Sequence, residues 1–118
     1  NNSRFLTYLE QARIGYFADQ ELWDGSLGKE ALIVAKITVE YKLPLVVEDK
    51  TIDVWTRIGR LGNKSFEMEH LINRSADGAT AGTGNIVMVC YNYDKGQTIP
   101  IPAAWREQIT GYEPALTE

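Results

Sequence analysis

A chain of 118 residues with 44% hydrophobic and 24% charged residues is the size and composition of one ordinary globular domain. Its net charge of −4 argues against nucleic acid as the main partner, because phosphate binding needs a clustered excess of Lys and Arg. No apolar run approaches the roughly 20 residues that cross a bilayer, and the single cysteine, Cys90, excludes an internal disulfide, so a reducing cytoplasm is the expected location.

From Ser3 to about Asp19, Phe5, Leu9, Ala12 and Tyr16 recur at helical spacing, and Leu6, Tyr8, Ile14 and Phe17 widen the stripe. The pattern predicts a helix buried on more than one side, capped by Asn2 or Ser3, with Gly15 marking a close approach by another backbone. "WDGSLGKE", Trp23 to Glu30, reads as a loop.

The period then changes to two. Ile33, Ala35, Ile37, Val39 and Tyr41 alternate with Val34, Lys36, Thr38 and Glu40, and Pro44 closes the run, which predicts a strand. A second is predicted from about Thr51 to Leu61, with Ile52, Val54, Thr56 and Ile58 on one face and Asp53, Trp55 and Arg57 on the other. "GNK" offers a hairpin into a third strand, Ser65 to Arg74, and "SADG" turns the chain into a fourth, about Ala79 to Asp94. The small residues of "ATAGTG" suit a place where a helix or ligand lies against the sheet, and "AAWREQI" predicts a short C-terminal helix with Pro102 in its first turn. One helix before several antiparallel strands favours an α+β fold in which the sheet curls around the helix.

Several chemistries are poorly supplied. One His and one Cys, far apart, cannot make a zinc site. His70 falls in phase with Phe66, Met68 and Ile72, as a satisfied structural histidine does, and Cys90 sits in an apolar strand with no base beside it. "GRLGNKS" and "GTG" are incomplete phosphate-loop and dinucleotide signatures.

The segments "NNSRFLTYLEQAR", "YKLPLVVED", "LGNKSFEMEH" and "IPIPAAW" occur in an order and spacing that resemble the acyl-CoA thioesterases of the hotdog fold, the group related to 4-hydroxybenzoyl-CoA thioesterase. The resemblance implies an antiparallel sheet wrapped around a long central helix, a short C-terminal helix, and one domain over residues 1–118 that is N-terminally incomplete. It also implies hydrolysis of an acyl-CoA to a free acid and coenzyme A, with no metal and no cofactor beyond the coenzyme A of the substrate. The family's catalytic Asp belongs to a strand that precedes the paired asparagines, so it is expected upstream of Asn1. By the same resemblance Asn1 and the backbone N–H of Asn2 face the thioester carbonyl, where an unpaired N–H and the helix dipole stabilise an oxyanion. Asn2 also serves as a cap. Glu10 and Arg13 either support the site or form an ordinary helical ion pair. Lys64 and Arg60 either meet the coenzyme A phosphates or remain solvated. A non-catalytic acyl-binding or assembly module and an acyl-carrier-protein thioesterase are the alternative functions. Association as a homodimer or dimer of dimers is expected from open strand edges and from Trp55 on a polar face, and the resemblance implies in addition that each site is shared between subunits.

Overall fold

The computed structural model describes residues 2–43 and 51–116. In chain order they form α1 (Asn2–Asp19), β1 (Ala31–Tyr41), β2 (Ile52–Leu61), β3 (Ser65–Arg74), β4 (Thr80–Asn92), β5 (Gln97–Thr98) and α2 (Ala103–Tyr112). The sheet has the antiparallel order β1-β4-β3-β2, and the two-residue β5, which the sequence did not announce, extends from β4. Most of "YKLPLVVED" falls outside the described residues.

Alternation in β2 and β3 places Ile58, Phe66, Met68 and Ile72 on one face, where they join Ile86, Met88 and Cys90 of β4 in a core against α1. The helix contributes Phe5, Leu9, Tyr16 and Phe17. It comes close because β4 offers glycine at the contact: a Cβ at Gly82 would lie 2.5 Å from the Phe5 ring, and one at Gly84 would lie 2.8 Å from Leu9. The small residues of "ATAGTG" therefore seat the N-terminal half of α1.

Several expectations need correction. The apolar stripe of α1 is only partly buried: Leu6 is 44% and Ile14 57% exposed, because that side of the helix meets no second layer among the described residues. Gly15 has nothing within 4 Å of where a Cβ would stand, so no backbone approaches there. In β1 the register shifts between Val34 and Lys36, and the extra residue, Ala35, reverses the phase. Leu32 and Val34 thus share the helix side with Ile37, Val39 and Tyr41, while Ile33 faces away. Pro102 precedes α2 at its N-cap rather than lying within its first turn.

Candidate functional site

The N-terminus of α1 begins at Asn2. The first four N–H groups of any helix lack intrahelical acceptors, and the aligned peptide dipoles make that end partly positive. No acidic residue stands in the first turn to use this field internally. Phe5 fixes the end in place, its ring centroid 4.6 Å from that of Tyr41 in an edge-on contact and its ring covering Gly82, so the first turn of α1 lies where β1 finishes and β4 starts. Arg4, unremarked in the sequence, donates to the Tyr8 hydroxyl at 2.9 Å and adds a cation to the same turn. Its signal was the i, i+4 spacing of the two residues. Asn1 and the side chain of Asn2 lie outside the described residues.

Farther along α1, Glu10 and Arg13 stand at a groove of about 640 Å³ whose walls include Ile14, Phe17, Leu22 and Trp23. The expected ion pair is absent: the pairs within 4.0 Å among the described residues are Lys42–Glu40, Arg57–Glu69 and Arg74–Asp77. Partial burial holds the Arg13 guanidinium below its ordinary pKa, and the nearby Glu10 charge offsets part of that shift.

Lys64 and Arg60 lie at the opposite end of the sheet. Their hairpin is tied down on both sides, with the Cys90 N–H donating to Lys64 O at 2.9 Å and Arg106 Nη2 donating to Gly62 O at 2.6 Å. Lys64 Nζ reaches Thr98 Oγ1 at 3.5 Å, and Arg60 borders a pocket of about 220 Å³ with Ser65 and Glu67. Phe17, near the C-terminus of α1, packs on Phe66 beside this hairpin, whereas Phe5 packs at the other end. An 18-residue helix spans about 27 Å. Within one chain, the residues expected to bind phosphate and the residue expected to bind the carbonyl are therefore not brought together.

His70 and Cys90 have the interior positions expected of them. Thr56 Oγ1 and His70 Nδ1 are 2.9 Å apart, but Nε2 has no partner among the described residues, so the histidine is only half satisfied. Burial, reinforced by the Arg13 charge, pushes the His70 imidazole down to about 4, and it is neutral at pH 7. Burial pushes the Cys90 thiol up to about 12, which removes it as a nucleophile.

A further buried group escaped sequence reasoning. Glu113, just past α2, accepts hydrogen bonds from the Tyr16 hydroxyl at 2.5 Å and the Ile58 N–H at 2.7 Å. It ties α2 to α1 and β2 and holds the Tyr16 hydroxyl protonated, burial being the main cause of that upward shift. The partners are 97 and 55 residues away in sequence, so no local spacing announces them.

The family model described as the thioesterase-like superfamily matches residues 1–109. The long-chain acyl-CoA thioesterase FadM of Escherichia coli (strain K12) is 24% identical over 119 residues, covering 92% of this chain and 83% of that protein. A thioesterase from Thermus thermophilus, solved in complex with coenzyme A and Zn, is 33% identical with a TM-score of 0.77, covering 94% of this chain and 78% of the other. Slr0204, a 1,4-dihydroxy-2-naphthoyl-CoA thioesterase from Synechocystis, is 18% identical with a TM-score of 0.82, over 95% of this chain and 83% of the other, a likeness of fold. No group of three or more His, Cys, Asp or Glu that could hold a metal stands together among the described residues.

Proposed function

The chain belongs to the thioesterase-like superfamily, and from that premise we propose that it hydrolyses an acyl-CoA thioester to a free acid and coenzyme A on the hotdog fold, the sheet curling around α1. The observation that carries the reading is the N-terminal turn of α1, held by Phe5 against Gly82 with no acidic residue in it.

The reaction needs three things. Attack of water on the thioester carbonyl puts negative charge on the carbonyl oxygen, and the Asn2 N–H, backed by the helix dipole, stabilises it. A carboxylate takes the proton from the water. On the family resemblance it comes from a segment ahead of Asn1, with Glu10 and Arg13 as supporting charges farther along the helix. The carbon–sulfur bond then breaks, and the proton passes to the departing coenzyme A thiolate. Glu10 and Arg13 open onto an apolar groove suited to an acyl chain, and the E. coli relative acts on long-chain acyl-CoA, so aliphatic substrates come first.

The separation of Asn2 from Lys64 and Arg60 supports a homo-oligomer in which a second copy brings its hairpin to the thioester. β1 is an edge strand, and Val34, Ile37 and Tyr41 on its helix side are 42%, 44% and 47% exposed, an apolar shelf suited to that copy. No helix among the described residues is long and apolar enough to cross a membrane. We place the work in the cytoplasm, where acyl-CoA is the substrate.

Thiol release from a panel of acyl-CoAs, measured for the wild type, Asn2→Ala and Asn2→Pro, tests the reading. Turnover in the wild type, near-wild-type turnover in Asn2→Ala and a far deeper loss in Asn2→Pro are expected, because only proline removes the N–H. Equal residual activity in the two folded variants refutes the role of Asn2, and acyl-CoA binding without turnover at any chain length refutes the enzyme.

A further inference from the structure

Leu6, Glu10, Ile14 and Phe17 follow one another at helical spacing and share one face of α1, which leads from Asn2 toward the C-terminus of the helix. Leu6 and Ile14 are exposed on it, and Phe17 is buried. At Glu10 this face becomes the groove of about 640 Å³, within the roughly 300–1,000 Å³ of small-molecule sites. The far end of the groove is a built wall. α1 stops in a Schellman arrangement, in which the Leu22 N–H donates to Phe17 O at 2.9 Å and the Glu21 N–H to Ala18 O at 3.2 Å, with Glu21 in the left-handed region at φ 53°. The reversal brings Trp23 back alongside Phe17, their rings edge-on with centroids 6.3 Å apart. The indole N–H donates to Ser26 O at 2.8 Å, and the Ser26 N–H donates to Asp24 Oδ1 at 2.9 Å, so the ring is held from both sides.

We infer that Trp23 sets the length of acyl chain the protein accepts: the chain leaves the thioester at Asn2, lies over Leu6 and Ile14, and ends against the Trp23 indole. The inference rests on the acyl-CoA reading above and adds which chains fit. Helix rise sets the scale, since the path along α1 from Asn2 to Glu10 covers about 12 Å and that from Asn2 to Phe17 about 22 Å. An extended hydrocarbon advances roughly 1.3 Å per carbon, given a carbon–carbon bond of about 1.5 Å. About the tenth carbon therefore enters the groove, and about the seventeenth reaches Trp23. Each methylene taken out of water there tightens binding about fourfold. Shorter chains leave the groove unfilled and gain nothing from it. Continuity with the thioester site names this occupant, because the groove opens on the helix that holds the carbonyl and closes at a length a tethered tail can span. A surface for a second protein needs no end wall.

Titration calorimetry on the full chain tests this with ketone analogues of acyl-CoA, in which a methylene separates the carbonyl from the sulfur so that nothing is hydrolysed. Analogues of eight, twelve, sixteen and twenty carbons are added to wild type, Trp23→Ala and Ile14→Trp. In the wild type, affinity should rise at least a hundredfold from eight to sixteen carbons and level off before twenty. Trp23→Ala removes the wall, so affinity should still be rising at twenty. Ile14→Trp fills the groove and should cut the gain from eight to sixteen carbons at least tenfold. Because Ile14 is exposed, that variant decides the matter by itself if Trp23→Ala does not fold. A plateau at the wild-type length in folded Trp23→Ala, or an equal loss at every length in Ile14→Trp, overturns the proposal. An equal loss accompanied by a change in sedimentation mass assigns this side of α1 to a subunit contact instead. The readout is binding, so a wild type that turns over no acyl-CoA refutes hydrolysis alone, and an unchanged length profile refutes the role of Trp23 alone.

Discussion

Replacing Glu113 with alanine should be among the most destabilising single changes outside the apolar core. The carboxylate is 9% exposed and holds two donors at once, the Tyr16 hydroxyl at 2.5 Å and the Ile58 N–H at 2.7 Å. Hydrogen bonds to charged groups contribute about 1.5–3 kcal/mol each, and a buried donor stranded without an acceptor costs about 1–3 kcal/mol. Against these gains stands the cost of keeping the carboxylate out of water, which the wild type already bears and the variant escapes. The net expectation is a loss of about 2–5 kcal/mol, a large part of the roughly 5–15 kcal/mol that holds a domain folded. Glu113→Gln keeps one acceptor oxygen in place and should lose less than half as much. Tyr16→Phe removes one donor and leaves the other satisfied, so it should cost about 1–2 kcal/mol. Urea denaturation at fixed protein concentration, with far-UV circular dichroism as the probe, gives all three values together with the double variant. If the carboxylate is the hub, Glu113→Ala and Tyr16→Phe should combine with a coupling of about 1 kcal/mol or more. A Glu113→Ala chain within about 0.5 kcal/mol of the wild type, or strict additivity of the two changes, refutes the reasoning.

Two glycines should respond with opposite signs. Gly82→Ala places a Cβ 2.5 Å from Phe5 and 2.8 Å from the backbone carbonyl of Glu40, which cannot yield as a side chain does, so a loss of about 1–3 kcal/mol in urea titration is expected; Gly15→Ala, in open space within a helix, should instead gain up to about 1 kcal/mol, and a shared sign sinks the argument. For His70, the folded chain binds its proton only near pH 4, whereas the unfolded chain binds it near 6.5. Stability from this group is therefore level above about pH 6.5 and falls as the pH drops toward 4, by about 2.5 kcal/mol between pH 7.5 and 4.5. His70→Gln should flatten that part of the profile, and an unchanged slope between wild type and variant assigns the acid sensitivity elsewhere.

What could be read from the residues was what repeats locally. The alternation of Ile52, Val54, Thr56 and Ile58 against Asp53, Trp55 and Arg57 placed β2 correctly, and "ATAGTG" marked the seat of α1, because sterics at a pleated surface act on neighbours in sequence. The phase of β1 was lost at Ala35, since a single inserted residue leaves an apolar run looking regular while reversing its faces. Leu6 and Ile14 misled for a different reason: an apolar position on a helix says that something covers it, not that the same chain does. The distance from Asn2 to Lys64 and the junction at Glu113 depend on where the helix and the hairpin finally lie, which no spacing of residues encodes.

The burial of Cys90 has a practical meaning for the chemistry. It is the only cysteine in the chain, it is fully buried, and its thiol ionises only near pH 12. A thiol-trapping reagent added to the folded protein with an acyl-CoA therefore meets one kind of reactive sulfur, that of released coenzyme A, and the trace carries no contribution from the catalyst. Once the chain opens, the same sulfur becomes reagent-accessible, so a slow stoichiometric rise beneath the catalytic trace counts molecules that have unfolded during the measurement.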